Sequence, residues 1–243
     1  MEDSIRQLSG QHLHVVLDEA FDPFRAVGAV VLTDSEYDAC NSLIDAKLAD
    51  FRLSSYMSGL ATYEDFMENG FHGTKNPNEI ASAYIDLIFK SLPGKCYIYF
   101  SNGFRRPDLG KKRTVLLLYS CLVQMILAKH RKAGSITFHF EDHEEMGPYF
   151  RPVVERMVAK SKVRLPVIVE RCPKMSPSSL SLVDYLLWVF GKSSRWILDP
   201  ETSEASAVDA FQVRYWRAIN AHISLVYSLE SGRVANRQHS VVI

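Results

Sequence analysis

Two apolar runs close together near the start of the 243-residue chain constrain its fold more than any other feature. Residues 12–19 are rich in Val and Leu, and residues 26–32 follow after a short turn that contains Asp22-Pro23. Apolar, β-branched runs of this length between turn signals predict buried strands. We therefore expect an early hairpin, which contributes an antiparallel pair to a sheet.

Strands and helices alternate along the rest of the chain. Aromatic and β-branched content predicts further strands at residues 95–100, 135–142 and 164–170. Helical patterns between the later strands predict parallel pairing through right-handed crossovers. The expected fold is α/β, with a mixed five-stranded sheet flanked by helices. The predicted helices span residues 35–50, 76–92, 113–132, 148–161, 180–191 and 208–229.

The composition predicts an ordinary globular protein. Lys and Arg number 28, Asp and Glu number 28, and the net charge is zero, so no global basic field indicates a nucleic-acid partner. Four widely spaced cysteines are typical of core residues in a reducing compartment, not of disulfides or a zinc site. Apolar runs are too short to span a bilayer, and the first residues do not resemble a signal peptide. We expect a cytoplasmic protein without a membrane partner.

No repeat, low-complexity tract or change of composition divides the chain before about residue 195. We therefore predict one α/β domain over residues 1–195. Residues 196–243 are predicted to form a helical C-terminal extension and a mobile tail that pack on the same domain.

Three acidic positions are candidates for chemistry. Asp18 and Glu19 end the first predicted strand, and Glu141 and Asp142 end the fourth. Asp184 lies in an almost wholly apolar helical segment, where a carboxylate is costly unless it is paired, hydrogen-bonded or bound to a metal. Each position also has a structural explanation, namely a solvated turn at a strand end or a salt bridge or cap in the helix.

Carboxylates from two strand ends and a facing helix can converge on one point. Such an all-oxygen site suits Mg²⁺ or Mn²⁺, and these ions support hydrolysis of phosphodiesters. We predict Asp18, Asp142 and Asp184 as metal ligands. Glu19 or Glu141 is expected to be a neighbouring or alternative ligand.

The choice between the two acids of the fourth strand stays nearly even. Strand alternation places Glu141 and Asp142 on opposite faces. Asp142 is preferred because it has the same parity as Phe138 and Phe140 and can continue their face at the end of the strand.

Several short motifs, taken in order, resemble the uncharacterised DUF3800 family. Members of that family typically have Asp-Glu after a first strand, Phe-His-Ala before a helix, and Leu-Gln-x-Ala-Asp-Tyr in a later helix, followed by an Arg-bearing segment. The order and spacing agree over most of residues 12–223. The corresponding residues here are Leu17-Asp18-Glu19, Phe71-His72-Gly73, the segment 180–185 (LSLVDY) and the segment 214–219 (RYWRAI).

The resemblance implies a ribonuclease H-like fold and, by analogy, a divalent-metal nuclease with a place in phage defence or a mobile element. His72 is then a candidate proton shuttle, phosphate contact or neighbour of the metal, whereas without the resemblance a structural hydrogen bond explains it better. Two departures favour an alternative, a catalytically degenerate interaction subunit of a larger complex. Phe21 stands where the family keeps a glycine, and Ser181 stands where it has Gln.

Basic clusters and the tail are the candidate partner surfaces. Clusters of Lys and Arg can contact nucleic-acid phosphates, although most such runs are solvated faces. The alternative is a protein partner that contacts the C-terminal helix and tail. The basic clusters are Arg105-Arg106, Lys111-Lys112-Arg113 and Lys129-His130-Arg131-Lys132.

Overall fold

The two apolar runs near the start of the chain form neighbouring antiparallel strands, β1 (His12–Ala20) and β2 (Arg25–Thr33). The structure is a computed structural model. β2 is buried from Ala26 to Leu32, because helices cover both faces of the sheet at this strand. The residues described are 10–54, 63–92, 94–102, 109–142, 145–173, 176–198, 210–232 and 234–235.

A mixed sheet of six strands, with a seventh of two residues at one edge, organises the described residues in the order β5-β4-β1-β2-β3-β6-β7. β1 pairs in parallel with β4, and β4 with β5, while β2 is antiparallel to both β1 and β3. The predicted α/β class and mixed sheet are confirmed, but the predicted count of five strands is wrong. The later strands are β3 (Lys95–Ser101), β4 (Ser135–Glu141), β5 (Val167–Cys172), β6 (Ile223–Ser228) and β7 (Val234–Ala235).

Helices cover the sheet on both faces and divide its buried residues into two clusters. The first cluster contains residues of α1, α2, α3, α6 and α7, and the second contains residues of α4 and α5. The helices are α1 (Asp34–Leu53), α2 (Tyr63–Asn69), α3 (Asn78–Leu87), α4 (Lys111–Lys129), α5 (Gly147–Ser161), α6 (Leu180–Leu198) and α7 (Ala210–Asn220), with a 3₁₀ turn at Phe89–Ser91.

The start of α1 shows how local chemistry sets an element boundary. The backbone N–H of Glu36 donates to Thr33 Oγ1 at 3.4 Å, and the backbone N–H of Thr33 donates to Glu36 Oε2 at 2.8 Å. This reciprocal capping satisfies two of the backbone donors that a helix start leaves unpaired. The predicted cap at Thr33 is confirmed.

The C-terminal segment departs from the predicted helix over 208–229. α7 ends at Asn220, and Ile223 then begins β6, which pairs in parallel with β3. The prediction is wrong in its second half, because pairing with the open edge of β3 outweighs the weak helical pattern of the segment. The segment after residue 195 therefore adds a strand to the sheet, and the predicted tail after residue 235 lies outside the described residues.

None of the helices in the described ranges combines the length and apolar character that crossing a membrane requires.

Candidate functional site

The two acids at the end of β1 point to opposite faces of the sheet. Along β1, Val16 belongs to the cluster under α6, whereas Leu17 belongs to the cluster under α4. Because side chains alternate along a strand, Asp18 lies on the α6 face and Glu19 on the α4 face. Adjacent acids in the sequence therefore enter different environments.

A glycine in β2 brings α6 close to the end of β1. Gly28 pairs with Asp18 across the two strands. A Cβ atom at Gly28 would lie 2.7 Å from Val183 Cγ1 and 3.2 Å from Leu187 Cδ2, which is closer than packed carbons allow. The missing side chain thus permits the approach of α6, and Asp184, the residue after Val183, is carried to the strand end.

The loop before α3 supplies the contacts of Asp184. The backbone N–H of Gly73 donates to Asp184 Oδ2 at 2.8 Å, and His72 Nδ1 lies 3.2 Å from the same oxygen. Gly73 also packs against α6, since a Cβ atom there would lie 2.7 Å from Trp188 Cβ. The structure therefore brings His72 and Asp184 together, 112 residues apart in sequence.

Asn76 holds this loop in shape. Its buried Oδ1 accepts from the backbone N–H of His72 at 2.6 Å and from the Tyr185 hydroxyl at 2.7 Å, and its Nδ2 donates to the Gly70 carbonyl at 3.0 Å. The sequence interpretation treated Asn76 only as the start of a helix. Its role depends on contacts with α6, which no local pattern reveals.

Asp18 is the centre of a cluster of negative charge. Burial raises the pKa of Asp18 well above its ordinary value, and the carboxylates of Glu19, Asp184 and Glu141 raise it further. A backbone hydrogen bond from the N–H of Glu19 to Asp18 Oδ1, at 2.8 Å, acts in the opposite direction. Acids that repel one another in this way are stabilised together by a cation.

The two acids of β4 also separate. Leu17 pairs with Phe140, so the next residues, Asp18 and Glu141, are neighbours on the same face. Asp142 instead forms an ion pair with Arg171 and lies against Gly147 at the start of α5. The parity argument that preferred Asp142 leads to the α4–α5 face, because Phe138 and Phe140 pack there.

Glu19 has a partner on the opposite face of the sheet from Asp18. The Tyr119 hydroxyl of α4 donates to Glu19 Oε2. Burial raises the pKa of Tyr119 well above its ordinary value, and the charges of Glu19 and Asp18 raise it further. Tyr119 therefore stays protonated and continues to donate at neutral pH.

The carboxylates of Asp18, Glu141 and Asp184 are a chemically suitable set for Mg²⁺ or Mn²⁺. All three supply hard oxygen donors, and they come from three elements that meet on the α6 face. The repulsion of Asp18 by the other two carboxylates is the observation that favours a cation. These three residues are called the carboxylate site below.

A second cluster with metal-ligating geometry, which sequence reasoning missed, lies on the same face. Its ligand atoms on His139, Glu170 and Cys172 all lie within 4.8 Å of one another. Burial lowers the pKa of His139 to about 4, and burial, with help from Glu170, raises the pKa of Cys172 to about 11. The signal was available only as i, i+2 spacing of polar residues on β5, which is uninformative until strands are paired.

No protein-family model matches the chain, and no curated protein matches it by sequence.

Proposed function

We propose that the protein is a divalent-metal-dependent nuclease that hydrolyses nucleic-acid phosphodiesters at the carboxylate site. The observation that carries the proposal is the convergence of Asp18, Glu141 and Asp184 on one face, with Asp18 repelled by the other two. Surface acids kept for solubility avoid such repulsion by spreading apart. A function that needs a cation explains why these acids stay together.

The proposal assigns metal binding to the three carboxylates and a supporting role to His72. Asp18, Glu141 and Asp184 would hold Mg²⁺ or Mn²⁺, and Glu141 replaces Asp142 in this set because it shares the face of Asp18. The chemistry such an ion supplies when bound is activation of water and neutralisation of phosphate charge. His72 lies beside Asp184 Oδ2, where it can orient that carboxylate or exchange a proton with a bound nucleotide.

The architecture supports the ribonuclease H-like interpretation. A central β1 has an antiparallel pair of strands on one side and parallel strands joined by crossovers on the other. Together with the resemblance to the DUF3800 family, this arrangement favours phosphodiester chemistry over other uses of a carboxylate-bound cation. Glu19, held by Tyr119 on the far face, is expected to influence Asp18 through its charge alone.

Basic residues at the start of α4 favour a nucleic-acid substrate. Lys111 and Arg113 are exposed in the first turn of α4, where the helix dipole disfavours cations, and that turn itself contains no acidic residue. The α4 residue Tyr119 reaches Glu19, whereas Lys129 lies over Tyr97 near the start of β3. The basic turn therefore lies at the edge of the sheet where β1 ends, which is also the edge of the carboxylate site, but on the opposite face, which α4 covers. Arg105 and Arg106 lie outside the described residues.

Cleavage assays with Mg²⁺ or Mn²⁺ on single-stranded and duplex DNA and RNA test the proposal. Asp18→Asn and Asp184→Asn are expected to reduce cleavage more than about 100-fold while the fold persists by circular dichroism. Asp50→Asn is the matched control, since Asp50 is an exposed carboxylate that pairs with Lys47 on α1. Equal cleavage by the parent and Asp18→Asn would contradict the proposal.

A second pair of variants separates the two acids of β4. Glu141→Gln is expected to reduce cleavage to the extent that Asp18→Asn does, whereas Asp142→Asn is expected to have the smaller effect because Asp142 pairs with Arg171. The reverse order would restore Asp142 as the ligand and exclude Glu141.

One observation favours a second function, a non-enzymatic interaction subunit. Ser181, which stands where the resembling family has Gln, is engaged in structure: its hydroxyl lies 2.6 Å from the Tyr84 hydroxyl and donates to the Ser178 carbonyl at 2.6 Å. Calorimetric titration with Mn²⁺ discriminates the two, since absence of binding at millimolar metal favours the interaction subunit.

A further inference from the structure

A line of hydrogen-bonding side chains crosses three strands on the α6 face. Asp34 Oδ1 lies 2.9 Å from His14 Nε2, His14 Nδ1 lies 2.8 Å from His139 Nε2, and His139 Nδ1 lies 3.1 Å from Glu170 Oε2. Cys172 Sγ lies 3.9 Å from the same His139 nitrogen. This line of side chains therefore runs from one carboxylate through two imidazoles to another carboxylate.

This line of side chains has fewer N–H hydrogens than it has junctions. Its three junctions each need a hydrogen, yet two neutral imidazoles carry only one N–H apiece. If His14 donates to Asp34 and His139 donates to His14, the lone pair of His139 Nδ1 faces the carboxylate of Glu170. Two acceptors 3.1 Å apart repel each other unless a proton or a cation lies between them.

The surroundings favour a cation at this junction. His139 is 3% exposed, and the Tyr37 ring stacks on His14 at 3.9 Å and lies 5.0 Å from the His139 ring. The imidazole is thus held in an orientation in which Nδ1 faces Glu170 and Cys172. The Glu170 side chain is 53% exposed, so an ion can reach the position from solvent.

The distances match those of zinc ligands. For tetrahedral zinc with ordinary bond lengths, imidazole nitrogen and carboxylate oxygen lie about 3.3 Å apart, and imidazole nitrogen and thiolate sulfur about 3.6 Å apart. The observed separations are 3.1 Å and 3.9 Å. The third separation, between the Glu170 oxygen and the Cys172 sulfur, is at most 4.8 Å.

We propose that His139 Nδ1, Glu170 Oε2 and Cys172 Sγ bind a zinc-class divalent cation, with His14 and Asp34 orienting His139 from behind. A thiolate and an imidazole select a borderline-soft ion such as Zn²⁺ over Mg²⁺. The line from Asp34 through His14 is the supporting hydrogen-bond relay that ligating histidines usually have. The proposal does not rest on the nuclease function, because none of its ligands belongs to the carboxylate site.

Cobalt spectroscopy of the full chain tests the proposal. After chelator treatment, Co²⁺ should produce a thiolate-to-cobalt charge-transfer absorption with the intensity expected for one thiolate-bound cobalt per chain, and Zn²⁺ should displace it. The Cys172→Ser variant should lose this absorption, whereas Cys121→Ser, a partly exposed cysteine of α4 on the other face, should keep it. Absence of the absorption in the parent protein, or its persistence in Cys172→Ser, would overturn the proposal.

Two further variants test the Glu170 ligand and the independence of this site from the carboxylate site. Glu170→Gln changes an exposed side chain, so it leaves the fold intact and should weaken Zn²⁺ binding at least about 10-fold in a calorimetric titration. Asp18→Asn should leave the charge-transfer absorption unchanged, because sulfur ligation is absent from the carboxylate site. Unchanged Zn²⁺ affinity in Glu170→Gln contradicts the assignment, whether or not the chain cleaves nucleic acid.

Discussion

The most informative single residue is Asp18, because its carboxylate is buried and neighbouring carboxylates repel it. Burial and the charges of three neighbouring carboxylates all favour its protonated form. Local hydrogen bonding from the N–H of Glu19 only partly opposes them. A side chain that costs stability in the metal-free protein is typical of a residue kept for function.

Replacement of Asp18 should therefore stabilise the protein in the absence of metal. In chelator at neutral pH, Asp18→Asn is expected to raise the free energy of unfolding by about 1–2 kcal/mol. Denaturant titration measures the change. The exposed Asp50→Asn control should shift the free energy by less than about 0.5 kcal/mol. A less stable Asp18→Asn protein would show that the acid contributes to the fold.

The pH dependence of this difference follows from the direction of the pKa shift. The pKa of Asp18 is raised in the folded protein. The free energy of unfolding therefore falls as the pH rises from the ordinary pKa, 3.8, to the raised pKa. The advantage of Asp18→Asn should thus be absent below pH 3.8 and grow over that interval. The same titrations, repeated at several pH values, measure it.

Among the elements, the contact between α6 and the hairpin decides whether the carboxylate site exists. Two glycines make the contact, because Gly28 lies under Val183 and Gly73 lies against Trp188. A Cβ atom at either position would lie 2.7 Å from a side-chain carbon of α6, so α6 or the segment that faces it must shift to accept a side chain there. The close approach of backbone is thus a requirement of the site and not of the fold class.

A methyl group at Gly28 tests this contact. Gly28→Ala should lower the free energy of unfolding by about 1–3 kcal/mol through overpacking against Val183, although alanine has the higher strand propensity. Thermal unfolding measures the loss. Gly110→Ala is the control for added volume, since nothing lies within 4 Å of a Cβ atom there, and it should cost less than about 1 kcal/mol, through the poorer N-cap preference of alanine at the start of α4. Equal effects would contradict the close packing.

At the scale of the whole molecule, the distribution of charge matters more than its sum. The net charge is zero, yet the two ends of α4 carry basic residues at opposite edges of the sheet. Only the edge with Lys111 and Arg113 contains the carboxylate site. A nucleic-acid strand that enters the site should therefore contact this edge and leave the other in solvent.

The two edges can be compared directly. The double variant Lys111→Ala with Arg113→Ala should weaken binding of a single-stranded oligonucleotide roughly tenfold or more at moderate salt, through the loss of phosphate contacts. Fluorescence anisotropy in Ca²⁺ or chelator measures binding without cleavage. Arg131→Ala with Lys132→Ala removes the same charge from the other edge and should have little effect. Equal weakening would indicate a non-specific charge effect.

The fold was largely readable from local patterns, and the site was not. β1, β2 and α1 carry clear periodic signals and a cap at Thr33, so they were predicted within a few residues. The short helix α2, in contrast, was not predicted. β6 was missed because its place depends on the free edge of β3. The sequence correctly placed the two acids of β4, Glu141 and Asp142, on opposite faces of the sheet. It did not show which of the two faces α6 covers.

Residue order decided where most of the strands and helices form, β6 being an exception, because hydrophobic periodicity and capping act over a few neighbouring residues. It also marked Asp18, Asp184 and His72 as residues of interest. Tertiary structure alone decided that Glu141 joins Asp18, that Asn76 shapes the loop of His72, and that His139 meets Glu170. These meetings depend on strand register and on the approach of α6 at Gly28, which are settled only when distant segments pack.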